Sequence, residues 1–200
     1  MFDARLRQLI DPPLNAIGRR IASWGISANA VTLTGLVVGL AGAAAITQQN
    51  YVIALALILV SRLLDGLDGA VARATRVSDF GGYCDILADF AFYVSVPLAF
   101  GLAEPKNLPM ATILIASFTL TGISFLAFAI MAAKSGQETV AHGKKSFFYS
   151  TGIAEGAETI AVFIAMCLWP AYFVPIAALY ALMCLATVAQ RTIAARASFD

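Results

Sequence analysis

The sequence predicts an all-α membrane protein: a six-transmembrane-helix bundle preceded by an N-terminal interfacial amphipathic helix. Three observations carry that reading. Hydrophobic residues make up 60% of the 200, charged residues only 12%, and the mean hydropathy is +0.82, whereas a soluble domain runs near 45–50% apolar and about 25% charged. Six stretches approach the ~20 apolar residues that a spanning helix needs, and none alternates as a β-barrel strand does. The connections between them are short enough to force antiparallel neighbours. The same composition excludes a disordered chain, a disulfide scaffold and a nucleic-acid binder with a basic face, and the formal net charge is only +1.

Residues 1–25 form a segment of their own. Phe2, Leu6, Leu9, Ile10, Leu14, Ile17, Ile21 and Trp24 recur at helical spacing, interleaved with Arg5, Arg7, Arg19 and Arg20. That suits a helix lying in the headgroup plane, or one set against the bundle. A signal peptide would need an apolar core and a small-residue cleavage site. Pro12-Pro13 is expected to break the segment into two pieces.

Residues 26–200 carry the six spans, at roughly 30–47, 51–72, 82–102, 109–133, 152–169 and 171–190. Asn29 reads as the cap of the first, and Gly35, Gly39 and Gly42 as its close-packing face. Cys84, Cys167 and Cys184 lie in apolar runs without CxxC spacing and read as packing residues. Of the thirteen Lys and Arg, Arg62 lies within a span and Lys106 alone on one side of the bundle. The other eleven fall on the opposite side, which places both termini in the cytoplasm.

Six acids, Asp65, Asp68, Asp85, Asp89, Glu155 and Glu158, lie within or at the edges of apolar runs. Each costs a few kcal/mol in a bilayer, so the set needs a reason. Asp65 and Asp68 are three apart and Asp85 and Asp89 four apart, so each pair shares a helix face. Asp65, Asp68, Gly69, Ala72 and Arg73 fall within an arc of about 140°. The short loop 74–80 folds the second span back onto the third, so the two pairs face each other at the cytoplasmic end.

Four carboxylates that close repel unless protonated or neutralised by cations. Hard oxygen donors without nearby His or Cys suit Mg²⁺ or Mn²⁺, and two such ions would clamp a pyrophosphate. Small residues at Gly69, Ala72, Gly81 and Gly82 admit a phosphate close to the backbone, and Arg73 offers a planar fork to it. Two blander readings stand beside this one: Asp–Arg pairs that satisfy each other, and an acidic helix pair lining a cation path.

These residues resemble the signature of the CDP-alcohol phosphotransferase (CDP-alcohol phosphatidyltransferase) family, D-x2-D-G-x2-A-R-x8-G-x3-D-x3-D. Asp65, Asp68, Gly69, Ala72, Arg73, Gly81, Asp85 and Asp89 supply every fixed position in order, with seven residues in place of eight between Arg73 and Gly81. Asn29-Ala-Val-Thr32 is similar to the family's Pro-Asn-x-x-Thr at the first span, Ala28 replacing the Pro. The resemblance implies that Asp65, Asp68, Asp85 and Asp89 hold the ions, Mg²⁺ or Mn²⁺, and that Asp89 is also the general base. Gly69, Ala72, Arg73 and Gly81 would contact the CDP moiety. It implies an integral membrane enzyme of phospholipid synthesis that attacks the β-phosphorus of a CDP-linked donor and releases CMP. It also implies a homodimer.

Length and span count look like the branch that uses CDP-diacylglycerol and a small polar alcohol. The alternative is transfer from CDP-choline or CDP-ethanolamine to diacylglycerol. Lys144, Lys145 and Arg191 are the candidate acceptor-binding cations. The segment from Thr187 to Arg191 resembles the last span of inositol-phosphate-using members, but Glu155-Gly-Ala-Glu158-Thr159 lacks the arginine those members carry there. Glycerol 3-phosphate, serine and inositol all stay open. Glu155 and Glu158 suit either pairing with these cations or packing against hydroxyls. His142 reads as solvent-exposed, and Phe147, Phe148 and Tyr149 as an interface belt. A cation transporter would show internal repeats or deeper charges. A family member that has lost activity is opposed by the intact Asp set.

Overall fold

The computed structural model describes residues 2–135 and 152–199, with side-chain surroundings from residue 10 onward. Every regular element among the described residues is helical: α1 (Phe2–Ser23), α2 (Ala28–Thr47), α3 (Tyr51–Ala74), α4 (Asp79–Ala103), α5 (Leu108–Lys134), α6 (Gly156–Leu168) and α7 (Phe173–Phe199). Single 3-10 turns at Pro105–Asn107 and Pro170–Tyr172 lead into α5 and α7. Their prolines sit at helix starts, where the missing N–H costs nothing.

Three expectations are corrected. Pro12 and Pro13 do not divide α1, which runs through them. Proline's fixed φ is already helical, and the turns beyond Pro13 are held down on α3. There Leu14 is buried, and Gly18 lies so close that a Cβ on it would meet Ala70. Asn29 does not cap α2. Ser27, one residue before the helix and extended (φ −78°, ψ 152°), accepts the Ala30 N–H on its Oγ at 3.2 Å, leaving Asn29 in the first turn. The expected span at 152–169 is helical only over Gly156–Leu168. Upstream, the N–H groups of Ile153 and Ala154 donate to Thr187 Oγ1 on α7, and that of Gly152 to Glu155 Oε1. Donors committed to side chains do not build a helical turn.

Helix α2 is the centre of the N-terminal half. Gly35, Gly39 and Gly42 face α3 and α4 at a separation that admits no larger residue at Gly39, where a Cβ would sit 2.7 Å from the Phe92 ring and 2.8 Å from Ser61 Oγ. The close-packing face expected from the glycines is therefore present. It has a consequence for the site. Helices α3 and α4 both pack along α2 and make few close backbone approaches to each other. The gap between them is filled by side chains, not by helix-on-helix contact.

A large core of Phe92, Phe100, Phe118, Phe163, Phe173 and Tyr180 joins α4, α5, α6 and α7, with Phe100 stacked on Phe173 at 4.8 Å. A smaller one of Leu14, Val31, Leu67, Ala70 and Val71 ties α1 to α2 and α3. Both leave apolar residues such as Val52, Leu179 and Ile193 facing outward, as a lipid-facing surface requires. Four helices among the described residues are long and apolar enough to cross a bilayer: α2, α4, α5 with its leading turn, and α7 with its leading turn. Helix α3 has the length, 24 residues, but carries Arg62, Asp65, Asp68 and Arg73. Helix α6 has 13 residues, about 20 Å at 1.5 Å per residue against about 30 Å of hydrocarbon.

Candidate active site

The carboxylates lie in the gap that α2 leaves between α3 and α4. One ligand oxygen from each of Asp65, Asp68 and Asp85 falls within 4.8 Å of the others. Asp68 is buried and its Oδ2 accepts from Thr32 Oγ1 of α2 at 2.6 Å, so three helices fix the cluster. Asp89 is not part of it. One helical turn beyond Asp85, its Oδ1 takes a 2.7 Å hydrogen bond from Arg62 Nη1. The same nitrogen is 3.4 Å from Asp65 Oδ1.

The residues expected to contact a nucleotide gather at the end of α3 and the start of α4. The guanidinium of Arg73 lies over Gly69, where a Cβ would be 3.2 Å from Nη1. Its Nε and Nη2 donate to Asn15 Oδ1 of α1 at 3.2 and 2.9 Å, which aims an exposed fork along the α3 surface. Ala72 is half-buried on the same helix. Gly81, in the first turn of α4, donates its N–H to the capping Ser78 Oγ at 3.0 Å, and a Cβ there would meet Asn29 Oδ1 at 3.2 Å. Asn29, displaced from the cap, thus faces Gly81, at the end of the loop that is one residue shorter here than in the signature.

A cavity of about 440 Å³ opens beside the cluster, with Asp65, Asp85, Asp89 and Arg62 in its lining and Glu155, Thr159, Tyr180 and Arg191 also facing it. Arg191 is buried. Its Nη1 donates to the Thr121 carbonyl at 3.0 Å and Ser124 Oγ at 3.3 Å, and the guanidinium lies 5.4 Å over Phe125. Glu155 is buried on the Gly152 N–H, while Glu158 has one buried oxygen with no hydrogen-bond partner. The Thr159 and Tyr180 hydroxyls bond each other at 2.6 Å. Lys144, Lys145, His142, Phe147, Phe148 and Tyr149 lie outside the described residues.

Sequence reasoning missed Arg62 and Thr32 as parts of the site. Arg62 carried a signal, a lone cation in an apolar run three residues before Asp65 and so on its face. Thr32 carried one only as the last residue of the Asn29-Ala-Val-Thr32 match, since threonine by itself is tolerated in any apolar helix.

An oxygen-only set of three carboxylates, one of them buried, fits a hard divalent cation. Residues 25–193 match the family described as CDP-alcohol phosphatidyltransferase. The chain is 41% identical to "Inner membrane protein YnjF" of Escherichia coli (strain K12) over 96% of this chain and 93% of that protein. It is 38% identical to "Archaetidylinositol phosphate synthase" of Pyrococcus horikoshii over 50% of this chain and 53% of that one. Its fold is similar to that of the Mycobacterium tuberculosis phosphatidylinositol phosphate synthase PgsA1. The crystal structure of that enzyme with CDP-DAG bound superposes with TM-score 0.74 at 19% identity, over 91% of this chain and 92% of that one. A second, in complex with manganese and citrate, gives TM-score 0.72 at 18% identity over 91% and 88%.

Proposed function

The chain belongs to the CDP-alcohol phosphatidyltransferase family of membrane enzymes, and we propose that it moves a phosphatidyl group from CDP-diacylglycerol to the hydroxyl of a small polar alcohol, releasing CMP. The observation that carries this reading is the cluster of Asp65, Asp68 and Asp85, within 4.8 Å of one another, beside a cavity of about 440 Å³. The CDP-DAG held by the similarly folded mycobacterial enzyme supports the choice of donor.

In this reading Asp65, Asp68, Asp85 and Asp89 would hold two divalent ions, Mg²⁺ or Mn²⁺. When bound, these ions supply positive charge to the pyrophosphate and the leaving oxygen. Gly69, Ala72 and Gly81 leave room for the CDP phosphates, and Arg73, braced by Asn15, donates to them. Asp89, on the cavity side, takes the proton of the acceptor hydroxyl. That oxygen bonds to the β-phosphorus as the bond to the bridging oxygen breaks, and CMP leaves with the electron pair. Arg191, with Lys144 and Lys145 from the stretch of sequence between α5 and α6, would orient the acceptor.

The same reading takes residues 26–200 as the transferase domain, with α3, and α6 together with the non-helical residues that lead into it, completing six spans around the polar site. It places both termini and the site in the cytoplasm, and residues 1–25 in the membrane interface. Exposed Ile10, Ile17 and Trp24 beside Arg19 and Arg20 support that last assignment. The family resemblance supports a homodimer.

The test is CMP release by purified protein with CDP-diacylglycerol, Mg²⁺ and a panel of glycerol 3-phosphate, serine, inositol, inositol phosphate and choline. EDTA and Asp89→Asn serve as controls. Metal-dependent release with a single acceptor establishes the reaction and names the product. No release with any acceptor, alongside release from CDP-choline and diacylglycerol, refutes the donor assignment.

A further inference from the structure

Arg62 stands in the apolar run Leu57–Leu64 with a side chain only 8% exposed. Its guanidinium lies 4.0 Å from the Phe92 ring centroid. Nη2 donates to Ser61 Oγ at 3.3 Å, and Ser61 Oγ in turn to the Gly35 carbonyl of α2 at 2.7 Å. Nη1 reaches both Asp89 Oδ1 at 2.7 Å and Asp65 Oδ1 at 3.4 Å, whereas Nε is buried with no hydrogen-bond partner.

An arginine so placed is expensive in a membrane helix, and an apolar residue of similar volume would pack there at lower cost. The stranded Nε shows the same thing at atomic level. The guanidinium sits where Asp89 and Phe92 hold it, not where all its own donors are satisfied. What the position accomplishes is a division of the four aspartates. Three of them converge, and the fourth, one helical turn beyond Asp85, is held at the cavity wall by Arg62. Because Nη1 takes Oδ1 of both Asp65 and Asp89, it constrains each carboxylate while leaving its Oδ2 uncommitted to that bond.

We propose that Arg62 is the positioning residue of the site, tethering Asp65 and Asp89 through their Oδ1 atoms so that Asp89 faces the acceptor cavity. Its effect on turnover rests on the transferase reading above, but its effect on cation binding does not. Two variants separate positioning from mere packing. Arg62→Met fills the slot without the charge, and Arg62→Lys keeps the charge without the fork.

Kinetics with CDP-diacylglycerol should show Arg62→Met losing about 30-fold or more in kcat, as for a lost charge-assisted hydrogen bond, with donor KM within about threefold of wild type. Arg62→Lys should recover part of that loss. Mn²⁺ titration of the metal-free proteins, followed by electron paramagnetic resonance, should show tighter binding to Arg62→Met, because a cation beside the carboxylates has gone. A structural role alone would lower the thermal midpoint and weaken Mn²⁺ binding together. A kcat within about threefold of wild type in Arg62→Met overturns the proposal, as does Mn²⁺ binding that is unchanged or weaker. If wild type itself releases no CMP, the transferase reading falls. The Mn²⁺ comparison then judges Arg62 alone, tighter binding supporting it and any other result overturning it.

Discussion

Thr32 on α2 and Asp68 on α3 share a 2.6 Å hydrogen bond in which the threonine hydroxyl donates to Asp68 Oδ2. Both residues are buried, at 8% and 5% exposure. The bond therefore anchors the least accessible of the three clustered carboxylates to the helix on which α3 and α4 both pack. Thr32→Val keeps the shape and removes the donor. It should cost about 1–3 kcal/mol, the price of leaving a buried charged acceptor unmet, read as a lower thermal midpoint in detergent. Thr32→Ser, which keeps the hydroxyl, should restore most of it. A Thr32→Val midpoint equal to wild type would mean that Asp68 is held by its own helix and not by α2.

Cation binding to the folded state alone raises stability by mass action, about 2.7 kcal/mol at a hundred times the dissociation constant. Millimolar Mg²⁺ or Mn²⁺ should therefore raise the thermal midpoint of the wild-type protein. Asp85→Asn removes one of three converging carboxylates. It should abolish that rise without lowering the metal-free midpoint, since it also removes a like charge from the cluster. A full cation-induced rise in Asp85→Asn would exclude Asp85 as a ligand.

Much of this site was legible in the sequence because its chemistry is carried by residue types that membrane helices avoid. Asp65, Asp68 and Asp85 stand out as charges in apolar runs, and spacings of three and four put them on helix faces without knowledge of the fold. Their meeting through α2 was not legible. The glycines at 35, 39 and 42 marked a close-packing face but not its two partners, so the loop 74–80 pointed instead to direct α3–α4 packing. Helix α6 was overextended for a related reason. Apolar composition continues back to Gly152, whereas the backbone there is held by Thr187, a residue 33 positions or more away. Pairings at that range leave no periodic trace.

The α2 glycines make a paired test of packing. Alanine at Gly39 would place its Cβ 2.7 Å from the Phe92 ring and 2.8 Å from Ser61 Oγ. Neither neighbour yields easily, since Phe92 is fully buried and Ser61 is bonded to Gly35. Gly39→Ala should destabilise by about 1–3 kcal/mol, the usual cost of overpacking. Gly82→Ala, with nothing within 4 Å of its Cβ in helix α4, should stabilise by up to about 1 kcal/mol through helix propensity. Denaturation of both variants in one detergent checks the ordering, and a Gly39→Ala as stable as wild type would show that α2 can move off α4.

Arg191 and the carboxylates of Asp65, Asp85 and Asp89 line the same cavity from different helices, so their kinetic signatures should separate. The Arg191 guanidinium is fixed by the Thr121 carbonyl and Ser124 Oγ above Phe125, a setting that orients it more tightly than a lone surface cation. Arg191→Met removes the charge and the donors together. If Arg191 orients the acceptor, its KM should rise about tenfold or more, corresponding to at least 1.4 kcal/mol, with the KM for CDP-diacylglycerol unchanged. Ser124→Ala loosens the guanidinium without removing it and should shift acceptor KM in the same direction by a smaller factor. Equal losses for donor and acceptor in Arg191→Met, accompanied by a fall in thermal midpoint, would instead make Arg191 a brace between α5 and α7, and the acceptor would have to be held by residues nearer the aspartates.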